Sequence, residues 1–209
     1  DQVARGDVLV RQDQWWTTTV FDASLQVLDA LSHPVSRRGA FVAYLGAGEH
    51  PVRMRILGPD GLAPGQTGSV RIFLPKALPL LPGDRFILRE SGRSETIGGG
   101  QVLDVDPQEK ASTAQPDQSV DRVIKQRRWV SVEELEKLTG VRRPADVDRW
   151  IVDPVALHEA LERVRSALEQ AGPLGLELSS LSEHDRAAAG LLDEATQEAG
   201  RLVPADAVD

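Results

Sequence analysis

The chain has 209 residues, 41% hydrophobic and 27% charged, with no cysteine and with 32 acidic against 24 basic side chains. That apolar content supports real cores and excludes wholesale disorder, the missing cysteine excludes a disulfide frame or thiolate metal site, and no apolar run approaches the ~20 residues of a membrane span. The net charge of −8 argues against nonspecific binding to a phosphate backbone.

The opening Asp1-Gln2-Val3 is not a signal peptide, and a start without Met reads as a piece of something longer. The excess of Arg over Lys, 20 against 4, reflects GC-rich coding.

The first half reads as strand after strand. Trp15–Phe21 is aromatic and β-branched, Ser24–Leu31 follows a short polar break, and Ala40–Leu45 runs into Gly46-Ala47-Gly48. In 51–57, Val52, Met54 and Ile56 alternate with Arg53 and Arg55, giving one apolar and one basic face. Residues 69–74 and 84–90 alternate in the same way, as half-buried strands do. Between them lie turn-rich breaks such as Gly58-Pro59-Asp60-Gly61 and Leu81-Pro82-Gly83-Asp84. About seven short strands without a helix predict a β-barrel or sandwich. Gly98-Gly99-Gly100 would permit a bulge or close backbone approach.

Residues 107–118 carry almost nothing apolar and read as a linker between a β-domain over 1–106 and a helical half. Val120, Val123 and Ile124 share a helical face. Trp129-Val130 is a short apolar break. Ser131 to Glu134 fits a capping box, with Val130 and Leu135 at staple spacing, and Gly140 ends that helix. With a strand at Trp150–Val152, 119–153 has the parts of a winged helix. Asp153-Pro154 opens a longer helix with Leu157, Leu161, Val164 and Leu168 as its stripe, stopped at Gly172-Pro173. A helix capped by Ser182, helical sequence over 191–199 and a closing strand at 200–203 make 154–209 a second, weaker winged-helix unit. The fold class is therefore multidomain, β and then α(+β).

Catalytic motifs are missing. The sequence has no Gly-x-x-x-x-Gly-Lys-Ser/Thr loop and no Gly-x-Ser-x-Gly elbow. The four histidines (33, 50, 158 and 184) lack metal-ligand spacing and read as exposed or turn residues. Neither an enzyme nor a metal site is expected within these residues.

Charge position says more than total charge. From Arg37 to Arg93 nine basic residues face four acidic ones, +5; Val120–Arg143 carries +3 and Pro144–Asp209 −9. A basic face on a β-domain suits phosphates, although alternating Arg also fits a solvated barrel exterior. The second helix starts Val132-Glu133-Glu134, where carboxylates repel phosphate, so this unit reads as a spacer or protein-contact module. Trp129 and Trp150 read as core.

Ala4-Arg5-Gly6-Asp7-Val8-Leu9 resembles the segment that leads into the third domain of elongation factor Tu-like translational GTPases. Pro82 to Arg93 resembles that domain's last hairpin, and Ser94 to Asp104 is most similar to selenocysteine-specific elongation factors, as is the run of winged helices. The resemblance implies an elongation factor Tu-like domain III β-barrel followed by winged-helix modules. It also implies a cytoplasmic, monomeric factor, off the membrane, that carries selenocysteyl-tRNA to the ribosome at UGA codons. The GTPase domain, which holds GTP and Mg in such factors, is absent here, as are the distal winged helices that grip an mRNA hairpin. Carried over by position, Arg89, Glu90, Ser91, Gly92 and Arg93 would lie beside the tRNA T-stem, where Ser91 replaces a frequent glycine; Arg37, Arg38 and Arg53 join them as RNA-binding candidates. Two rival readings stay open: a DNA-binding winged-helix regulator with a β-barrel domain, and another translational GTPase with a helical extension.

Overall fold

A computed structural model describes residues 6–205; Ala4 and Arg5 of the lead-in segment lie outside the described residues. Residues up to Val120, with Glu136–Val141, form one compact unit, and Asp121–Leu135 with Arg142 onward form a second. Among the described residues no helix is long and apolar enough to cross a membrane.

The first unit is a closed antiparallel barrel. Its strands are β1 (Thr17–Val27), β3 (Phe41–Leu45), β4 (Gly48–Leu57), β6 (Thr67–Pro79), β7 (Arg85–Glu90) and β8 (Glu95–Asp104), and the short pair β2 (Val35–Ser36) and β5 (Gly61–Leu62) forms a side ribbon. Around the barrel the order is β1-β6-β4-β3-β7-β8. Alternation drives the closure: Phe21, Leu25, Met54, Ile72, Phe86, Leu88 and Ile97 are among the side chains buried inside, while their sequence neighbours point out.

The runs at Trp15–Phe21 and Ser24–Leu31 are not two strands but parts of one 11-residue strand, β1. The polar break expected between them contains Asp22, which is 1% exposed. Its two carboxylate oxygens accept from Arg71 Nε at 2.6 Å and Nη2 at 2.8 Å. A paired charge can stay inside a strand where an unpaired one would interrupt it. The same pair removes Arg71, 8% exposed, from the basic face to which it was counted; the hydrogen bond to Asp22 raises its pKa. Arg71 Nη1 also donates to Glu109 O at 2.9 Å, and Gln118 Nε2 to Val102 O at 3.3 Å. Residues 107–118 thus lack regular structure but are tied to the barrel wall.

The triple glycine of β8 is a close-approach site. Leu25, Gln26 and Val27 of β1 pair with Gly100, Gly99 and Gly98. A Cβ on Gly100 would collide with the Ser24 carbonyl oxygen, and one on Gly98 with that of Gln26. His50 is likewise not an exposed or turn residue: it is buried in β4, and burial followed by the charge of Lys76 lowers its pKa.

After the barrel, α1 (Val120–Arg127), β9 (Trp129–Ser131), α2 (Val132–Thr139) and β10 (Trp150–Val152) follow in order, with Glu136–Thr139 of α2 grouped with the first unit, and β9 pairs antiparallel with β10. The expected break at Trp129-Val130 is therefore a strand. Ser131 Oγ accepts from Glu134 N–H at 3.1 Å, which satisfies a first-turn donor, while Glu134 itself takes Arg127 at 3.2 Å. Val130 and Leu135, the staple pair, are fully buried.

Next come α3 (Pro154–Ala171), β11 (Leu176–Glu177), α4 (Glu183–Ala189), β12 (Ala195–Glu198) and β13 (Arg201–Pro204), in the helix, strand, helix, wing order of a winged helix. Asp153 caps α3, its carboxylate accepting from Val155 and Ala156 N–H. The buried stripe of α3 is Ala156, Ala160, Val164 and Leu168, one position off the expected line at its start; Leu157 and Leu161 are half-buried. The small alanines let this helix serve two clusters. Ala156 packs with Val147, Val152 and Ala187, beside Trp129 and Trp150, and Val164 and Leu168 pack with Leu192 and Leu202. Residues 191–199 are not helical throughout: β12 and β13 form a hairpin across Ala199-Gly200, both at positive φ, a two-residue turn that suits the twist of paired strands.

Three outcomes test this reading. Gly100→Ala is expected to cost about 1–3 kcal/mol in urea unfolding, because the strands must part to admit the methyl group. Asp22→Ala leaves Arg71 charged and buried, and is expected to cost about 3–5 kcal/mol. For His50, the unfolded chain takes up a proton near pH 6.5 that the buried ring resists. Stability is therefore full above that pH and falls as pH drops toward the lowered value; Tm measured from pH 8 down to about pH 5 should fall less in His50→Gln.

Candidate nucleic-acid interface

The hairpin that joins β7 to β8 is a short 3-10 turn, Ser91–Arg93, closed by Ser94 in the left-handed region. Ser94 N–H donates to Ser91 O at 3.2 Å, and Ser91 N–H to Ala40 O at 2.8 Å. This second bond ties the hairpin to the residue before β3, two positions after Arg38. Arg89 Nη2 donates to Ser94 O at 3.0 Å and braces the turn from below. Its Nε is buried with no partner among the described residues. Glu90 pairs with Phe41 across β3, with a carboxylate oxygen over Gly39. Arg93 is exposed at the tip. Gly92 is exposed too; its backbone is not left-handed, and a Cβ there would meet nothing within 4 Å.

The strand register brings the other candidates to the same end of the barrel. β3 starts there, β4 ends there, and Arg37 and Arg38 lie in the approach to β3. The Arg38 backbone N–H donates to Ser36 Oγ at 3.2 Å, and the residue is exposed. Arg53 faces outward from β4 with its guanidinium 5.4 Å from the Phe73 ring centre, a cation–π contact that leaves the charge unneutralised. Beside these, His33 Nε2 lies 3.4 Å from Glu95 Oε2 at the start of β8.

Arg55 was missed as a site residue, although the alternation that marked Arg53 marks it equally. It shares with Arg37 a polar recess of about 210 Å³, bordered by Gly58, Asp60, Ala111 and Ser112. Nothing in the sequence signals Ala111 or Ser112, which are brought there by a segment without periodicity.

Charge pairing separates the two units. Arg37, Arg38, Arg55 and Arg93 have no carboxylate within 4 Å among the described residues, whereas in the second unit Arg127 pairs with Glu134, Arg128 with Glu159, Arg143 with Asp121, Arg149 with Glu183 and Arg163 with Asp185. Arg165 holds Glu162 and Glu194, which raises its pKa and lowers that of Glu194. Trp129 and Trp150 are not an open stacking platform: His184 lies stacked 4.6 Å from the Trp129 ring and edge-on 4.7 Å from Trp150.

Residues 22–109 match the family model described as the selenocysteine-specific elongation factor, beta-barrel domain. The selenocysteine-specific elongation factor of Desulfomicrobium baculatum is 28% identical over 102 residues, 49% of this chain and 16% of that protein. A crystal structure of a bacterial selenocysteine-specific elongation factor, EF-Sec, superposes over 93% of this chain and 35% of its own, with TM-score 0.60 and 11% identity. The chain thus spans well under half the length of either relative, and the structural likeness carries the fold across both units. The barrel segment 22–109 is thus similar to the β-barrel domain of selenocysteine-specific elongation factors, and the chain shares the fold of the matching part of such a factor.

Proposed function

We propose that this chain serves in delivering selenocysteyl-tRNA to the ribosome, its barrel end meeting the sugar–phosphate backbone of the tRNA T-stem. The observation that carries this is a set of exposed guanidiniums, Arg37, Arg38 and Arg93, with no ion-pair partner among the described residues, on the hairpin and on the approach to β3 that the register sets at the same barrel end. Exposed cations without acidic partners are available to replace the counterions of a nucleic acid. Arg53, held flat by Phe73, adds a fourth. Gly92 is required neither by φ nor by packing among the described residues, which suits close approach of a ligand backbone. Glu90 supplies an acceptor for a 2′-hydroxyl, the group that marks RNA.

The winged-helix units act on this reading as a spacer toward modules that bind an mRNA hairpin. Arg127, Arg128, Arg143, Arg149, Arg163, Arg165 and Arg201 are paired with carboxylates, and α2 opens with Glu133 and Glu134, which disfavours groove reading by that helix. On this reading GTP and Mg²⁺ are bound by the GTPase domain of such a factor and not by residues 1–209, which contain no Gly-x-x-x-x-Gly-Lys-Ser/Thr loop.

Binding of a tRNA transcript, measured from about 50 to 200 mM salt, tests the assignment. Arg93→Ala is expected to flatten the salt slope by about one. Arg89→Ala is expected to do the same and also to loosen the hairpin. Gly92→Ala should leave Tm unchanged and weaken binding. An unchanged slope in the Arg89→Ala/Arg93→Ala double variant would overturn the hairpin assignment.

A further inference from the structure

We infer that Arg37, Arg55 and the segment at Ala111-Ser112 form a second phosphodiester pocket at the same barrel end, one that draws on Arg55 of β4 and not on the hairpin residues 89–93. The inference rests on the RNA-binding reading above and extends it to a subsite built partly by residues that follow the barrel.

The strand register explains why Arg55 is free. Asp22, Arg71 and Arg55 lie in one outward row across β1, β6 and β4. Both oxygens of Asp22 accept from Arg71, so the acid in that row is already committed one strand before Arg55. Arg71 also fixes the facing wall. Its Nη1 holds Glu109 O at 2.9 Å, and a turn at 110–114, with Thr113 and Ala114 N–H on Lys110 O, presents Ala111 and Ser112 to the recess. Arg37 enters from the third side, directly after β2, whose pairing with β5 sets it against the Gly58-Pro59-Asp60 turn.

The result is a recess of about 210 Å³ with two guanidiniums and no ion pair between them and Asp60. One water needs about 10–15 Å³ of such space, so the recess is large enough to admit a phosphate group. Its lining carries two positive charges and one negative. A net charge of +1 matches the single charge of a phosphodiester, whereas a free phosphate dianion would be under-compensated and would face Asp60. The chemistry therefore favours a link in a nucleic-acid backbone. Ser112 offers a hydroxyl donor, and Arg the forked donors suited to phosphate oxygens.

The test uses the full chain and a tRNA transcript over the same salt range, with inorganic phosphate titrated separately. Arg55 is exposed and has no ion-pair partner among the described residues, so Arg55→Ala should keep Tm and far-UV circular dichroism unchanged. It is expected to weaken tRNA binding and flatten the slope by about one. Asp60→Asn should tighten binding about threefold, while Glu49→Gln, the same charge change at the start of β4 and outside the recess, should leave it unchanged. An unaltered slope in Arg55→Ala alongside a flattened slope in Arg93→Ala overturns the pocket and leaves the hairpin reading intact. The opposite pattern overturns the hairpin reading and supports the pocket. Unaltered slopes in both overturn both. Loss of inorganic phosphate binding in Arg55→Ala with tRNA binding unchanged also overturns the pocket, as a site for the free ion.

Discussion

The barrel exists because β1 pairs on both its edges, with β6 on one side and β8 on the other. That last pairing depends on a stretch of backbone without side chains, since the carbonyl oxygens of Ser24 and Gln26 occupy the places where Cβ atoms of Gly100 and Gly98 would be. Closure leaves no sheet edge to protect. It also decides which residues come to one rim: the hairpin at 91–94, the approach to β3 and the end of β4 are remote in sequence and adjacent only once the sheet is closed.

The Asp22–Arg71 pair adds a second level of organisation. A bidentate ion pair in a nearly dry setting satisfies both charges, and Arg71 still has a donor for the carbonyl of Glu109. One guanidinium thus joins two strands and a segment of irregular backbone. Such a pair is weak evidence for stability in itself; here its consequence is geometric. It places residues 109–112 along the barrel and uses up the acid beside Arg55.

The two units use arginine in opposite ways. In the winged-helix unit, the excess of acid provides carboxylates for most of the guanidiniums, and exposed pairs join α3 to α4 and to Glu194 at the start of the wing. Individually such pairs contribute little stability, but they neutralise charge that would attract phosphate. On the barrel rim the acids are few and differently placed, and the guanidiniums stay open. A net charge of −8 thus conceals a surface with a cationic rim.

Local pattern carried much of this. Period-two alternation marked the strands of 51–57, 69–74 and 84–90, cap residues marked the starts of α2, α3 and α4, and the glycine run marked a close approach, because each of these depends on near neighbours in the chain. The breaks at Asp22 and Trp129-Val130 and the helical reading of 191–199 went astray where a distant partner decides: Arg71 admits an acid into a strand, β10 recruits Trp129–Ser131, and β13 draws Ala195–Glu198 into a wing. The basic character of the barrel was equally visible in the sequence. Which arginines are spent and which are free was not, since Arg71 and Arg55 look alike in an alternating strand and differ only in whether a carboxylate from another strand stands opposite. The sequence by itself determined the strands, most of the helices and the sign of the charge on each segment; the tertiary structure alone decided which charges are buried, which are paired and which converge, because those depend on register across a closed sheet.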